Sequence, residues 1–151
     1  MSTPNIAIVD YGLGNLFSLA RACEKAGMYP LVTSSPKELA EADAVILPGV
    51  GAFGNAMSSL RQMNLIDPLR DLAAASKPII GICLGMQLLL SQSDEFGEHE
   101  GLDIIAGSVR SFSHQSLSMT SGPAGGRMKI PQVGWNRVYA TSASANWTEP
   151  P

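Results

Sequence analysis

The strongest chemical signal in the sequence is the stretch Gly81-Ile82-Cys83-Leu84-Gly85. It follows the apolar run Pro78-Ile79-Ile80 and leads into a helical pattern from Leu84 to Ser91. A thiol set between two glycines at a strand-to-helix junction has the layout of a nucleophile elbow, with cysteine as nucleophile. The glycines have a steric task, because the tight turn strains the backbone at the nucleophile and flanking side chains would clash. At a helix start, unbonded backbone N–H groups favour the thiolate, which is the reactive form. The Leu84 N–H is placed to receive a developing oxyanion. The competing interpretation is a buried structural cysteine in a Gly-rich turn; the strand-elbow-helix context favours the nucleophile. Cys23 is the contrast: it lies on the apolar face of a helical pattern with no glycine beside it, and reads as core.

A second glycine loop, Pro48-Gly49-Val50-Gly51-Ala52-Phe53-Gly54-Asn55, follows another apolar run. If both strands are parallel, it opens at the same sheet end as Cys83, where its N–H groups can meet a carbonyl or carboxylate. Gly12-Leu13-Gly14-Asn15 begins like a dinucleotide fingerprint, but Phe17 stands where the third glycine belongs, so it reads as a turn with a backbone or partner contact. A cysteine nucleophile needs a base, most often histidine. His99, in Gly97-Glu98-His99-Glu100-Gly101, and His114, in a Ser-rich stretch, are the two histidines, and both read as solvated surface. The residues thus supply a nucleophile without an evident base.

The elements that must position these groups alternate along the first half of the chain. Asn5 to Asp10, Tyr29 to Thr33, Asp43 to Leu47 and Pro78 to Ile82 read as strands. Leu16, Leu19, Cys23 and Ala26 share a helical face that Gly27 ends, and Asn55 to Ala75 reads as one or two helices with a break at Asp67-Pro68. Short loops between alternating strands and helices predict a three-layer α/β domain, its sheet mostly parallel with helices on both faces. Ligands then sit beyond the carboxyl ends of the strands. Further on, Leu102 to Phe112 reads as one or two strands, Ser113 to Gly126 as a mobile surface loop and Pro131 to Val138 as a turn and strand. Thr141 to Pro151 is polar and linker-like, which sets the expectation of a single domain over 1–151 that is incomplete at its C-terminus.

Composition agrees. With 151 residues, 45% apolar and only 15% charged, the chain is no disordered polyelectrolyte and suits a sheet covered on both faces. A net charge of -3 without a basic cluster argues against nucleic acid. Two cysteines make neither a disulfide framework nor a zinc site, so a reducing cytoplasm is expected and no metal or cofactor is implied. No secretory leader or membrane span is legible.

Gly81-Ile82-Cys83-Leu84-Gly85-Met86-Gln87 resembles the nucleophile motif of the class I (triad) glutamine amidotransferases, which are flavodoxin-like. Asp10-Tyr11-Gly12-Leu13-Gly14-Asn15, the Pro48 loop and Val133-Gly134-Trp135-Asn136 narrow the likeness to the glutaminase subunits of imidazole glycerol phosphate synthase. The resemblance runs from Asn5 to about Val138. It implies that Cys83 attacks the glutamine side-chain amide, that a glutamyl thioester forms and that ammonia passes to a (β/α)8 cyclase subunit in histidine biosynthesis. It also implies an oxyanion hole from the backbone of Gly49, Val50 and Gly51, after a peptide rearrangement, and of Leu84. Gln87 would line the glutamine pocket, and Asn15 and Trp135 would face the cyclase. Gln132 stands where family members often carry His. The family's base and orienter come as His-x-Glu after a later strand; neither His99-Glu100-Gly101 nor His114-Gln115-Ser116 fits, and about a quarter of the expected domain is wanting. The expectation is that the 151-residue chain alone is inactive or nearly so. Two other readings stand beside the glutaminase: a non-catalytic remnant that at most binds the cyclase, and a DJ-1/PfpI-type cysteine hydrolase.

Overall fold

The computed structural model describes residues 3–111; His114, the Ser113 to Gly126 stretch, and Gln132 with the Trp135 turn lie outside the described residues. The first four strands are β1 (Asn5–Val9), β2 (Tyr29–Thr33), β3 (Ala44–Leu47) and β4 (Ile79–Gly81). They form one all-parallel sheet in the order β2-β1-β3-β4, with Ile8 opposite both Val32 and Ile46, and Ile46 opposite Ile80. This is the flavodoxin-like order, whose reversal point lies between β1 and β3.

Side chains alternate across a strand, so each strand serves two cores. Ile6, Ile8 and Ile46 point to one face and pack with Cys23 and, half-buried, Leu16, Leu19 and Ala20 of α1 (Leu16–Lys25). Ala7, Val9, Val45 and Leu47 point to the other. There they meet Phe53, Met57 and Leu60 of α3 (Phe53–Gln62), Leu69 and Leu72 of α4 (Ile66–Ala74), and Leu84 and Leu88 of α5 (Leu84–Leu88). Helices therefore cover both faces, as the alternation predicts, and Cys23 is core, only 3% exposed, its thiol pushed up by burial.

A short helix, α2 (Pro36–Glu41), was not evident in the apolar pattern because its six residues bury only Leu39. Its signals are local: Ser35 caps the Glu38 N–H, Pro36 opens the first turn, and Glu38 bonds the Thr33 hydroxyl. The break in the next helical stretch falls at residues 63–65, where Asn64 adopts φ 54°, and not at Asp67-Pro68. Pro68 sits in the first turn of α4, where a missing N–H leaves no helix bond unmade.

The helix after Cys83 ends at Leu88 rather than Ser91, and Leu90–Ser93 forms β5. The cause is a returning segment. The N–H groups of Leu102, Ile104, Asp103 and Gly101 take the carbonyls of Leu88, Leu89, Leu90 and Ser91. Gly101 permits this approach, since a Cβ there would lie 2.0 Å from the Leu90 oxygen. Arg70 adds a clamp, donating to the Leu102 carbonyl at 2.9 Å and the Gly101 carbonyl at 3.3 Å. The result is a second sheet, ordered β6-β5-β7, with β6 (His99–Glu100) antiparallel and β7 (Ile105–Val109) parallel to β5.

Asn15 has a structural task in this frame: its side chain accepts from the Ser18 N–H at 3.1 Å and caps α1. Asn15→Ala is expected to lower stability by about 1 kcal/mol in urea unfolding, and Asn15→Asp to restore most of it.

Candidate active site at the carboxyl ends of β1, β3 and β4

Three loops leave the sheet side by side, because their strands are neighbours and parallel: residues 10–15 after β1, 48–52 after β3 and 82–83 after β4. Cys83 is exposed and adopts φ 55°, ψ -117°, a conformation that costs a non-glycine residue about 1–3 kcal/mol. This is the strained elbow that the glycine spacing predicts. The glycines on either side are dictated by contact. A Cβ on Gly81 would lie 2.4 Å from the Met86 Cα, and one on Gly85 would lie 1.8 Å from the Leu47 carbonyl oxygen. The turn is closed by Ile82 N–H to Leu47 O (3.0 Å), Gly85 N–H to Ile82 O (2.9 Å) and Met86 N–H to Cys83 O (3.1 Å).

The N–H of Leu84 donates to none of the described residues, nor do those of Gly49, Val50 and Gly51. Uncommitted donors on two adjoining loops beside a thiol are the raw material of an oxyanion site. The loops touch: a Cβ on Gly49 would lie 2.9 Å from the Gly85 nitrogen and 2.9 Å from the Leu84 Cβ. Gly49 is buried, Val50 is half exposed, and Gly51 takes φ 96°. Because α5 has only five residues, its help to an anion comes from these local N–H groups rather than from a long helix dipole. Gln87, half-buried, lies one turn beyond Cys83 in α5.

Tyr11 is the residue that the sequence singled out least and the structure places most firmly. It is 1% exposed, and its hydroxyl donates to the Pro48 carbonyl at 2.7 Å. Burial pushes its phenol up to about 12. Gly14, at φ 132°, packs against the Pro48 ring, where a Cβ would meet ring carbons at 3.3 Å. The Gly12-x-Gly14 turn thus makes a contact with the neighbouring loop.

His99 departs from its expected place on the solvated surface. It lies half-buried in β6 with its ring against Gly54 of α3, where a Cβ would come within 2.5 Å of the ring. The reason is again the returning segment, which turns the polar loop into a strand. Trp135 lies outside the described residues. Among the described residues, no group of three or more His, Cys, Asp and Glu is placed to hold a metal ion, and no helix is long and apolar enough to cross a membrane.

Gly85→Ala is expected to cost more than about 3 kcal/mol or to abolish folding, because its Cβ meets fixed backbone, whereas Gly27→Ala, with open space at φ 77°, is expected to cost about 1 kcal/mol. Thermal unfolding of both variants checks the contrast. Tyr11 holds its proton more tightly folded than unfolded, so stability is lost as pH rises from about 10 toward about 12, by about 2–3 kcal/mol. Urea unfolding across that window is expected to show a smaller loss for Tyr11→Phe.

Comparison with known proteins meets this geometry. Relatives include the imidazole glycerol phosphate synthase subunit HisH 1 of Legionella pneumophila strain Paris, 47% identical over 144 residues, covering 95% of this chain and 64% of the relative. HisH subunits of Sulfurimonas denitrificans (48% over 134 residues; 89% and 61% covered) and Nostoc punctiforme (46% over 142; 94% and 62%) are similar. The chain spans under two thirds of the length of these relatives. A crystal structure of a glutamine amidotransferase shares the fold, with a TM-score of 0.60 at 19% identity, covering 69% of this chain and 55% of that one. The family model of the CobB/CobQ-like glutamine amidotransferase domain matches residues 4–125. That match takes in every strand and helix described above, so the chain belongs to the CobB/CobQ-like glutamine amidotransferase domain family.

Proposed function

We propose that this chain provides the nucleophilic part of a glutaminase subunit of imidazole glycerol phosphate synthase. The observation that carries the reading is the exposed Cys83 in a strained elbow, beside two loops with uncommitted N–H groups. In this reading the Cys83 sulfur attacks the side-chain carbonyl carbon of glutamine. The carbonyl electrons move to oxygen, where the Leu84 N–H and the Gly49 to Gly51 backbone receive the charge. Collapse expels ammonia and leaves a glutamyl thioester, which water opens to glutamate. Gln87 lines the glutamine pocket. Ammonia goes to a (β/α)8 cyclase partner, toward which Asn15 and, in sequence, Trp135 are assigned as interface residues. The likeness to HisH subunits over most of this chain supports this choice of partner and pathway. The reaction runs in the cytoplasm and needs no cofactor.

The base is the open position. The sequence has no His-x-Glu, and His99 is engaged with Gly54. A polypeptide of these 151 residues alone is therefore expected to turn over glutamine about 10²–10⁴ more slowly than a complete family enzyme with its cyclase. The test has two parts. Cys83 should be labelled by a glutamine-like electrophile, with protection by glutamine and no labelling in Cys83→Ala. Cyclase-stimulated release of glutamate from the 151-residue chain should be near background. Absence of glutamine-protected labelling would point instead to the other cysteine-hydrolase reading; full turnover by the 151-residue chain would overturn the role given to the missing base.

A further inference from the structure

We propose that Tyr11 is a positioning residue for this site: its buried hydroxyl holds the Pro48 carbonyl and thereby sets the Gly49–Gly51 backbone against the Cys83 elbow. The inference rests on the glutaminase reading of Cys83 and deepens it.

Within residues 48–51, the Tyr11 bond to Pro48 is the one hydrogen bond made to a described residue. Everything after it in the loop is uncommitted until Ala52 accepts from Ala56 at the start of α3. A trans peptide carries its C=O and N–H on opposite sides. Fixing the Pro48 oxygen toward Tyr11 therefore fixes the Gly49 N–H away from Tyr11, and fixes where the Gly49 Cα meets the elbow. That meeting is tight on both sides. A Cβ on Gly49 would lie 2.7 Å from the Tyr11 hydroxyl, and one on Gly85 would lie 3.0 Å from the Pro48 carbonyl carbon. The loop after β1 also holds Pro48 a second time, through Gly14 on its ring. Pro48 is buried, so loss of the hydroxyl would leave its carbonyl without a donor, and the peptide would be free to turn in search of one. A core-filling tyrosine would need neither this bond nor this neighbour; a ring alone would serve.

The test compares two reagents on Cys83 in the complete protein with its partner. A chloromethyl ketone analogue of glutamine passes through an adduct in which sulfur bonds the carbonyl carbon and the oxygen becomes an oxyanion. Sulfur then moves to the methylene carbon and expels chloride, while its bond to the carbonyl carbon breaks and the C=O re-forms, leaving a thioether. Iodoacetamide is displaced directly by the thiolate, with loss of iodide and no oxyanion. Tyr11→Phe is expected to lower the ratio of chloroketone to iodoacetamide labelling rates about tenfold, less than the loss of a direct oxyanion donor. Its iodoacetamide rate and circular dichroism should be unchanged. An unchanged ratio, with wild-type labelling that glutamine protects, overturns the positioning role alone. Wild-type labelling without glutamine protection overturns both the glutaminase reading and this inference. Should Tyr11→Phe fail to fold, 3-fluorotyrosine at position 11 keeps the shape and strengthens the donor. The ratio should then rise, and an unchanged ratio counts against the proposal.

Discussion

The site depends on one close approach of backbone to backbone. The end of β3 and the start of α5 lie so near each other that a single added carbon on Gly85 would sit 1.8 Å from the Leu47 oxygen. Ile82 N–H bonds that same oxygen at 3.0 Å. One carbonyl thus serves as the hydrogen-bond anchor of the Cys83 turn and as the wall against which its helix begins. Side-chain packing could not supply such proximity, because any intervening side chain would push the Pro48 loop away from the thiol. The two glycine motifs, far apart in sequence, answer a single geometric requirement.

The surrounding sheet makes that requirement attainable. Parallel neighbours deliver their carboxyl ends to the same edge, and the order β2-β1-β3-β4 puts the loops after β1, β3 and β4 in contact. The loop after β1 then acts on the loop after β3. Tyr11 and Gly14 grip Pro48 from its carbonyl and its ring, and Gly49 beside it meets both the Tyr11 hydroxyl and the elbow.

Much of this was legible in the residues, for identifiable reasons. The four parallel strands showed as short apolar runs, and helices on both faces followed from the alternation of strands with helical patterns. The elbow was legible because its glycines are required within a few residues of Cys83. What stayed hidden was whatever depends on distant partners. The end of α5 at Leu88 is set by N–H groups of residues 101–104 that donate to the carbonyls of residues 88–91, a pairing with no local signature. His99 joined a strand for the same reason. Tyr11 looked like one member of a motif, since nothing beside it in sequence announces a carbonyl thirty-seven residues away. Pro68 misled in the opposite direction: a residue that breaks helices in their interior is harmless in the first turn.

The elbow also explains why so short a helix exists. Five residues are far below the length at which a helix sustains itself in water, and Cys83 adds a strained backbone of about 1–3 kcal/mol. Both costs are met from the core side of the same helix. Leu84 and Leu88, one turn apart, are 3% and 0% exposed and pack with Leu47 and Phe53; burying each contributes about 1.5–3 kcal/mol. The apolar face of α5 therefore stabilises a conformation that the opposite end of its first turn would not adopt alone. Held this way, the thiol can remain exposed and its neighbouring N–H groups unbonded without loosening the fold. Exposure of the Cys83 thiol and rigidity of its support come from the same two leucines.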